Sequence, residues 1–316
     1  SDKFQYYSSF SCQQIDCSPY LRDYLEKNSI STMDDIKQID NLILQKPASV
    51  HGFNNVEVYK SLTDLERLCL LELRTLRTDG KIFFTNSNAK GNKIDFISWI
   101  DKFSNDVELI LIQPPGRGTR FAEQAHCSMD GLVSELMQFA QFFCEKPFIL
   151  FGHSLGSRVA YDLCCRLQSL NMRLPEYFVA SGSGAPHLSD DMEHIHNLPQ
   201  DLFVKKLEEL NGTPKEVLQN SELMELMMPT LRADFEIADT YLSRKIIMPF
   251  PIMVLTGKQD IHVKKYQAEA WGELSNKTCS KVEFPGDHFF INELTDLIIV
   301  KLTMLFQQLL TEEQSA

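Results

Sequence analysis

The sequence predicts an α/β fold with a mostly parallel central sheet, and three observations predict it. From Gly80 onward, strand-like runs alternate with helical periods. Those runs are apolar, branched and aromatic enough to be buried on both faces. The run Phe148-Ile149-Leu150-Phe151 passes through Gly152-His153-Ser154-Leu155-Gly156 directly into a helical period.

Ahead of this pattern, residues 1–78 read as a helical extension. "SPYLRDYLEKN" opens on Ser-Pro, "TMDDIKQIDNLILQKP" opens on a Thr cap with an acidic first turn and stops at Pro47, and "SLTDLERLCLLELRTLRTDG" ends in Asp79-Gly80. No Asp-Ser-Leu motif of a phosphopantetheine carrier lies among these helices. The second unit, 79–316, begins with "KIFFTN" as a strand, "DFISWIDKF" as a helix and "VELILIQPPGRG" as a strand running into a Pro-Gly loop. "MDGLVSELMQFAQFF" follows as a helix before the central strand. After Gly156, Val159, Leu163, Leu167 and Leu170 form one stripe for the sheet, while Arg158, Asp162 and Arg166 point elsewhere. "EYFVASGSGAP", "FPIMVLTGKQD" and "KVEFPGDHFF" supply further strands, and a helix from about Asn292 to Leu310 closes the chain. Between 187 and 248 the alternation is broken by helices with apolar faces too long for a simple crossover, which predicts an inserted helical lid over the strand ends.

Composition narrows the function classes. The 316 residues are 43% hydrophobic and 23% charged, enough for one large globular domain with an appendage. A formal charge of −12 with no basic cluster argues against nucleic acid as a partner. Arg117, Arg120, Lys264 and Lys265 are the candidates for steering an acidic partner, although they fit a solvated face better. Eight cysteines are too dilute for a disulfide scaffold, the adjacent Cys164 and Cys165 do not bridge within a helix, and Cys12 and Cys17 lack a second zinc-type pair. Reduced thiols, no membrane span and no leader segment together predict the cytoplasm.

The serine between two glycines, at a strand-to-helix turn, points to nucleophilic chemistry. Such a turn strains the serine backbone and exposes its hydroxyl at the carboxyl edge of the sheet. A serine needs a base, and imidazole suits the task. In the chain order serine, acid, histidine, His288 of "FPGDHFFI" is the expected base, because His51 and His126 precede Ser154. Asp260, after the strand "IMVLTG", is the expected acid; Asp234 and Asp239 are alternatives placed within predicted helices. Backbone N–H groups of Leu155 and of Asn86 or Ser87 are the expected oxyanion donors. His187, Asp190, Asp191, His194 and His196 in "HLSDDMEHIH" fit a polar lid entrance better than a metal site. His153 fits a packed neighbour whose side chain points away from that of Ser154.

From about Lys81 to Ile291 the chain resembles the type II thioesterases of polyketide and nonribosomal peptide assembly lines, members of the α/β-hydrolase superfamily. The stretches that carry the resemblance are "QPPGRGTRFAE", "KPFILFGHSLGS", "GAPHLSD", "HNLP", "LNGTPKEVL", "LRADFEIADTY" and "FPGDHFFI". The resemblance implies Ser154, Asp260 and His288 as a catalytic triad and a helical lid over a channel for an acyl-phosphopantetheine arm. It also implies an acyl or peptidyl carrier protein as partner and an acyl thioester as substrate, with no cofactor or metal of the protein's own. The chain departs from the family in the oxyanion loop, Phe84-Thr85-Asn86-Ser87-Asn88-Ala89-Lys90-Gly91, where relatives carry a Pro- and Gly-rich turn, and in the extension 1–78. The expected activity is hydrolysis of carrier-bound thioesters, in product release or editing of stalled chains. Two alternatives are acyl transfer or cyclisation onto an alcohol or amine, and a non-catalytic carrier-binding scaffold.

Overall fold

The computed structural model describes residues 82–86, 99, 102, 103, 108–117, 120–140, 144, 147–188, 194–210, 212, 213 and 215–314. The expected extension 1–78, Ser87, Asp190 and Asp191 lie outside the described residues.

The strand runs pair as one sheet. Among the described residues, β1 (Ile82–Asn86), β2 (Glu108–Ile112), β3 (Phe148–His153), β4 (Tyr177–Ser181), β5 (Ile252–Gly257) and β6 (Cys279–Phe284) lie in the order β2-β1-β3-β4-β5-β6. Every neighbouring pair is parallel. Parallel pairing needs crossovers that cover the faces. Accordingly, all six residues of β3 are buried. The strand period of two divides them: Phe148 and Leu150 join one apolar cluster, Ile149 and Phe151 the other. The first cluster is roofed by α1 (Met129–Met137) and α2 (Leu155–Ser169), through Leu132, Val133, Val159, Leu163 and Leu167. The second is roofed by α8 (Thr295–Gln314), through Ile298, Leu302, Leu305 and Phe306.

Helix ends depart from the sequence pattern for local reasons. Leu170, expected in the buried stripe of α2, is 61% exposed. The helix stops there: Asn171 turns to φ 52° and the Met172 N–H returns to Leu167 O at 2.9 Å, a left-handed cap. The helix begun at Met129 closes at Met137, with the Gln138 N–H folding back on Glu135 O. The final helix starts at Thr295, after a separate turn α7 (Phe290–Glu293), three residues later than its pattern suggests.

Between β4 and β5 the chain builds α3 (Gln200–Leu210), α4 (Lys215–Leu218) and α5 (Ser221–Thr240). These pack on a core of their own: Ile195, Phe203, Leu207, Val217, Leu231 and Phe235. Arg232 organises it, lying 4.5 Å over the Phe203 ring and donating to the carbonyls of His196 and Leu198. Pro229 is accommodated inside α5.

The insertion is fastened to the body of the sheet by polar contacts and by Ile237, which is buried in the first cluster. Arg117 Nη2 meets Asp234 Oδ1 at 2.9 Å, and Thr230 donates its hydroxyl to Gly116 O at 2.7 Å. The Tyr241 hydroxyl donates to Asp162 Oδ1 at 2.9 Å. Arg117 and Arg120 therefore form neither the expected solvated face nor a steering patch: Arg117 is committed to Asp234, and Arg120 to Glu123 and Glu135. The Arg117–Asp234 pair is largely buried, so removing one partner strands a charge. Arg117→Ala should cost about 3 kcal/mol in urea unfolding, and Arg117→Met combined with Asp234→Leu should recover most of that loss. A single-variant cost below about 0.5 kcal/mol, the range of ordinary surface changes, would show that the pair does not anchor the insertion.

Candidate active site

The turn from β3 to α2 holds Ser154 at φ 54° and ψ −123°, a backbone that side-chain-bearing residues rarely adopt. Strand and helix meet so closely that a Cβ on Gly152 would stand 2.4 Å from Gly156 O. Around the turn the backbone is braced. The Ser154 N–H donates to Ser181 O at 2.7 Å, while the Ser157 hydroxyl donates to Gly152 O at 2.8 Å and accepts from the Ser181 N–H at 3.2 Å. Ser154 is thereby lifted clear of the sheet edge, with Leu155 as the first residue of α2. A first helical residue has no intrahelical partner for its N–H, and the helix dipole adds positive potential there. Asn86 ends β1 opposite Gly152, which puts its backbone at the same sheet edge, next to the turn.

The loops after β5 and β6 are joined to each other. A Cβ on Gly257 would meet Asp287 O at 2.3 Å, so only glycine lets the two loops approach. Lys258 N–H donates to Phe284 O at 2.8 Å, Gln259 N–H to Gly286 O at 2.9 Å, and Gly286 N–H to Gln259 Oε1 at 2.6 Å. This cross-linking brings Asp260 to His288: Asp260 Oδ2 and His288 Nδ1 are 2.9 Å apart, and His288 Nε2 is 3.0 Å from Ser154 Oγ. A carboxylate can only accept, so Nδ1 carries the proton and the Nε2 of the neutral ring accepts from the serine hydroxyl.

Burial alone would raise the Asp260 pKa. The hydrogen bond from His288, together with the His262 backbone N–H at 2.8 Å from Oδ1, outweighs it and holds the carboxyl below its ordinary range. The side chains of Asp260 and His288 are 1% and 5% exposed, so this charge is shielded from water and directed at the imidazole. His153 packs alongside, its ring 5.2 Å from that of His288 and its Nδ1 2.9 Å from Ser181 Oγ.

The remaining candidates stand outside the hydrogen-bond chain of Ser154, His288 and Asp260. Asp234 is paired with Arg117, and Asp239 accepts from the N–H groups of Ile195 and His196 and from His196 Nδ1 at 2.8 Å. His126 contacts Glu135 at 2.6 Å. His187 lies 3.5 Å from Glu273, away from His196, and no group of three potential metal ligands gathers among the described residues. Lys264 lies 5.9 Å over the Tyr266 ring, and Lys265 lies 3.7 Å from Glu269. Sequence reasoning passed over Gly257, Gln259 and His262, which organise the two loops; the only local signal was a glycine ending "IMVLTG". It read Arg158 only as turned from the sheet, and there Arg158 lines a cavity of about 800 Å³ between Ser154 and the insertion. The other walls are mostly apolar, including Leu188, Phe235, Tyr241 and Val263.

A parallel sheet with a half-buried serine at a strand-to-helix turn, an acid after β5 and a histidine after β6 defines an α/β-hydrolase. A family model described as a thioesterase domain matches residues 82–303. The gramicidin S biosynthesis protein GrsT of Aneurinibacillus migulanus is 34% identical over 207 residues, 65% of this chain and 80% of that protein. The medium-chain S-acyl fatty acid synthase thioesterase of Anas platyrhynchos is 31% identical over 209 residues, 65% of this chain and 83% of that protein. Among solved structures, the type II thioesterase BorB from the borrelidin biosynthetic cluster superposes with a TM-score of 0.65 at 28% identity, covering 72% of this chain and 92% of BorB. The chain belongs to the thioesterase family and is a hydrolase of thioesters.

Because folding depresses the Asp260 pKa, its contribution to stability is complete above the unfolded value of about 4 and is lost as pH falls through the lower folded value. In urea melts from pH 6 to 3, the stability gap between the native chain and Asp260→Asn should narrow below about pH 4. A gap that stays constant across that range would contradict this placement of the charge.

Proposed function

We propose that the chain is a type II thioesterase that hydrolyses acyl or peptidyl thioesters on phosphopantetheinylated carrier proteins, releasing products or clearing stalled chains in polyketide or nonribosomal peptide synthesis. The observation that carries the proposal is the hydrogen-bond chain from Ser154 Oγ through His288 to Asp260, at 3.0 and 2.9 Å, opening on an 800 Å³ cavity. The relatives of such pathways support the assembly-line setting.

In the proposed reaction Ser154 Oγ attacks the thioester carbonyl as its proton passes to His288 Nε2. Asp260 holds the Nδ1 proton and stabilises the imidazolium. The oxyanion is received by the N–H of Leu155 and by the loop at Asn86 and Ser87. Collapse breaks the C–S bond, and the imidazolium proton goes to the departing thiol of the phosphopantetheine arm. Water, deprotonated by His288, then attacks the acyl-serine, and the free acid leaves as Ser154 regains its proton. The reaction draws on no metal or redox cofactor; the substrate brings its own phosphopantetheine. Cytoplasmic carriers are its setting, and no described helix is long and apolar enough to cross a membrane.

Intact-protein mass spectrometry with a panel of acyl-carriers tests this. A transient acyl adduct and free acid are expected, with both absent in Ser154→Ala. Asp260→Asn, which loses the acceptor for Nδ1–H, should lower kcat about 10⁴-fold. An adduct that persists until an amine or alcohol is added would make the protein a transferase, and no adduct with any carrier would make it a non-catalytic binder.

A further inference from the structure

Two hydrogen bonds hold the imidazole of His288 before the reaction begins: its Nδ1–H donates to Asp260 Oδ2, and its Nε2 accepts from the Ser154 hydroxyl. Acylation removes one of them. Once Ser154 Oγ carries the acyl group it has no proton to donate, and the ring is left pinned at Nδ1 alone. A single hydrogen bond fixes one atom of a ring and lets the opposite atom swing about it. That opposite atom, Nε2, is the one that must take a proton from the incoming water in the second half of the reaction.

Three rings border the imidazole. Those of His153 and Phe289 each lie 5.2 Å from it, and that of His262 lies 5.4 Å away at 87°, an edge-to-face contact. His153 is tied to Ser181 Oγ at 2.9 Å, and Phe289 is the next residue in the chain. His262 differs from both: it is half-buried and lines the cavity together with Ser154 and His288. Its place is set by Asp260, whose Oδ1 accepts the His262 backbone N–H at 2.8 Å while Oδ2 accepts from His288. One carboxylate thereby seats both the imidazole and the backbone of a residue that borders it. That backbone bond does not depend on the side chain at 262, so substitutions there address the ring alone.

We propose, resting on the triad reading above, that His262 is a positioning residue whose ring keeps His288 Nε2 aimed at the acylated Ser154 during deacylation, when the serine no longer holds it. In that step water gives a proton to Nε2 as its oxygen bonds to the acyl carbon, and the proton passes to Ser154 Oγ as the ester C–O bond breaks. A ring that swings out of line misses both transfers. Acylation, in which Ser154 and Asp260 hold the imidazole from both ends, proceeds without the help of His262.

Hydrolysis of p-nitrophenyl octanoate by the full chain separates the two steps, because its good leaving group makes acylation the faster one. The burst of nitrophenolate reports acylation, and the steady rate reports deacylation. His262→Ala and His262→Asn, which remove the ring, should lower the steady rate about three- to tenfold, the effect of losing one aromatic pair, and leave the burst rate constant unchanged. His262→Phe, which keeps a ring and drops its nitrogens, should restore most of the steady rate. The asparagine variant carries the comparison should the alanine variant fail to fold. Slowing of both phases alike marks a general structural role and overturns the inference. So does an asparagine variant that outperforms the phenylalanine one, which would assign the effect to a hydrogen bond of the imidazole, and so does an unchanged steady rate or a native chain without a burst. Octanoyl pantetheine, run alongside with Ser154→Ala, keeps the two readings apart: no Ser154-dependent release of octanoate from it overturns the thioesterase reading, whatever the burst shows.

Discussion

The site depends first on one backbone conformation. Ser154 sits at positive φ because β3 ends and α2 begins within two residues, with no room for a side chain at position 152. Relaxing that turn would tilt α2 away from β3 and lower the serine hydroxyl into the sheet edge. The strain, of order 1–3 kcal/mol, is held by bonds on either side of it. Ser181 accepts from the strained residue, and Ser157 ties the far ends of the turn together. The neighbouring parallel strand β4 therefore braces the conformation that β3 and α2 impose.

Burial and charge then cooperate at the second half of the site. A carboxylate as enclosed as Asp260 would ordinarily take up a proton. It stays ionised because two N–H donors converge on its oxygens, one from the imidazole it orients and one from the backbone of His262. Neither donor would reach it if Gly257 and the Gln259–Gly286 cross-links did not seat the two loops against each other. The same contacts that ionise the acid thus set the tautomer of the base.

Much of this was legible in the sequence where the signal is local. β3, the turn and α2 lie within about twenty consecutive residues, and each has its own period or punctuation. The order serine, acid, histidine follows from strand ends that can be counted along the chain. What escaped was whatever depends on a distant segment. Leu170 matches the stripe of α2, and only the left-handed turn at Asn171 removes it. Arg158 looks solvated until α5, some seventy residues on, is laid over its helix. Arg117 looks like a free surface cation until Asp234 arrives from the same insertion. Periodicity reports the face that a helix turns to its nearest sheet, and it is silent about a second layer on the opposite face.

That second layer separates two physical tasks. The bond-making groups hang from strand ends and loops cross-linked by backbone hydrogen bonds, which tolerate little displacement. The cavity is closed by helices that carry their own apolar core around Phe203 and Leu231 and meet the body through polar contacts and through Ile237, which is buried in the core of the sheet. A substitution on α3 or α5 can reshape the chamber while Ser154, His288 and Asp260 keep their distances, because their supports lie on the other side of the cavity. Arg158 is where the two tasks meet: it grows from the helix that begins at the nucleophile, yet its guanidinium is positioned by a carbonyl of the insertion. A change in how α5 sits is therefore felt through the Ala238 carbonyl at Arg158, one helical turn beyond the nucleophile.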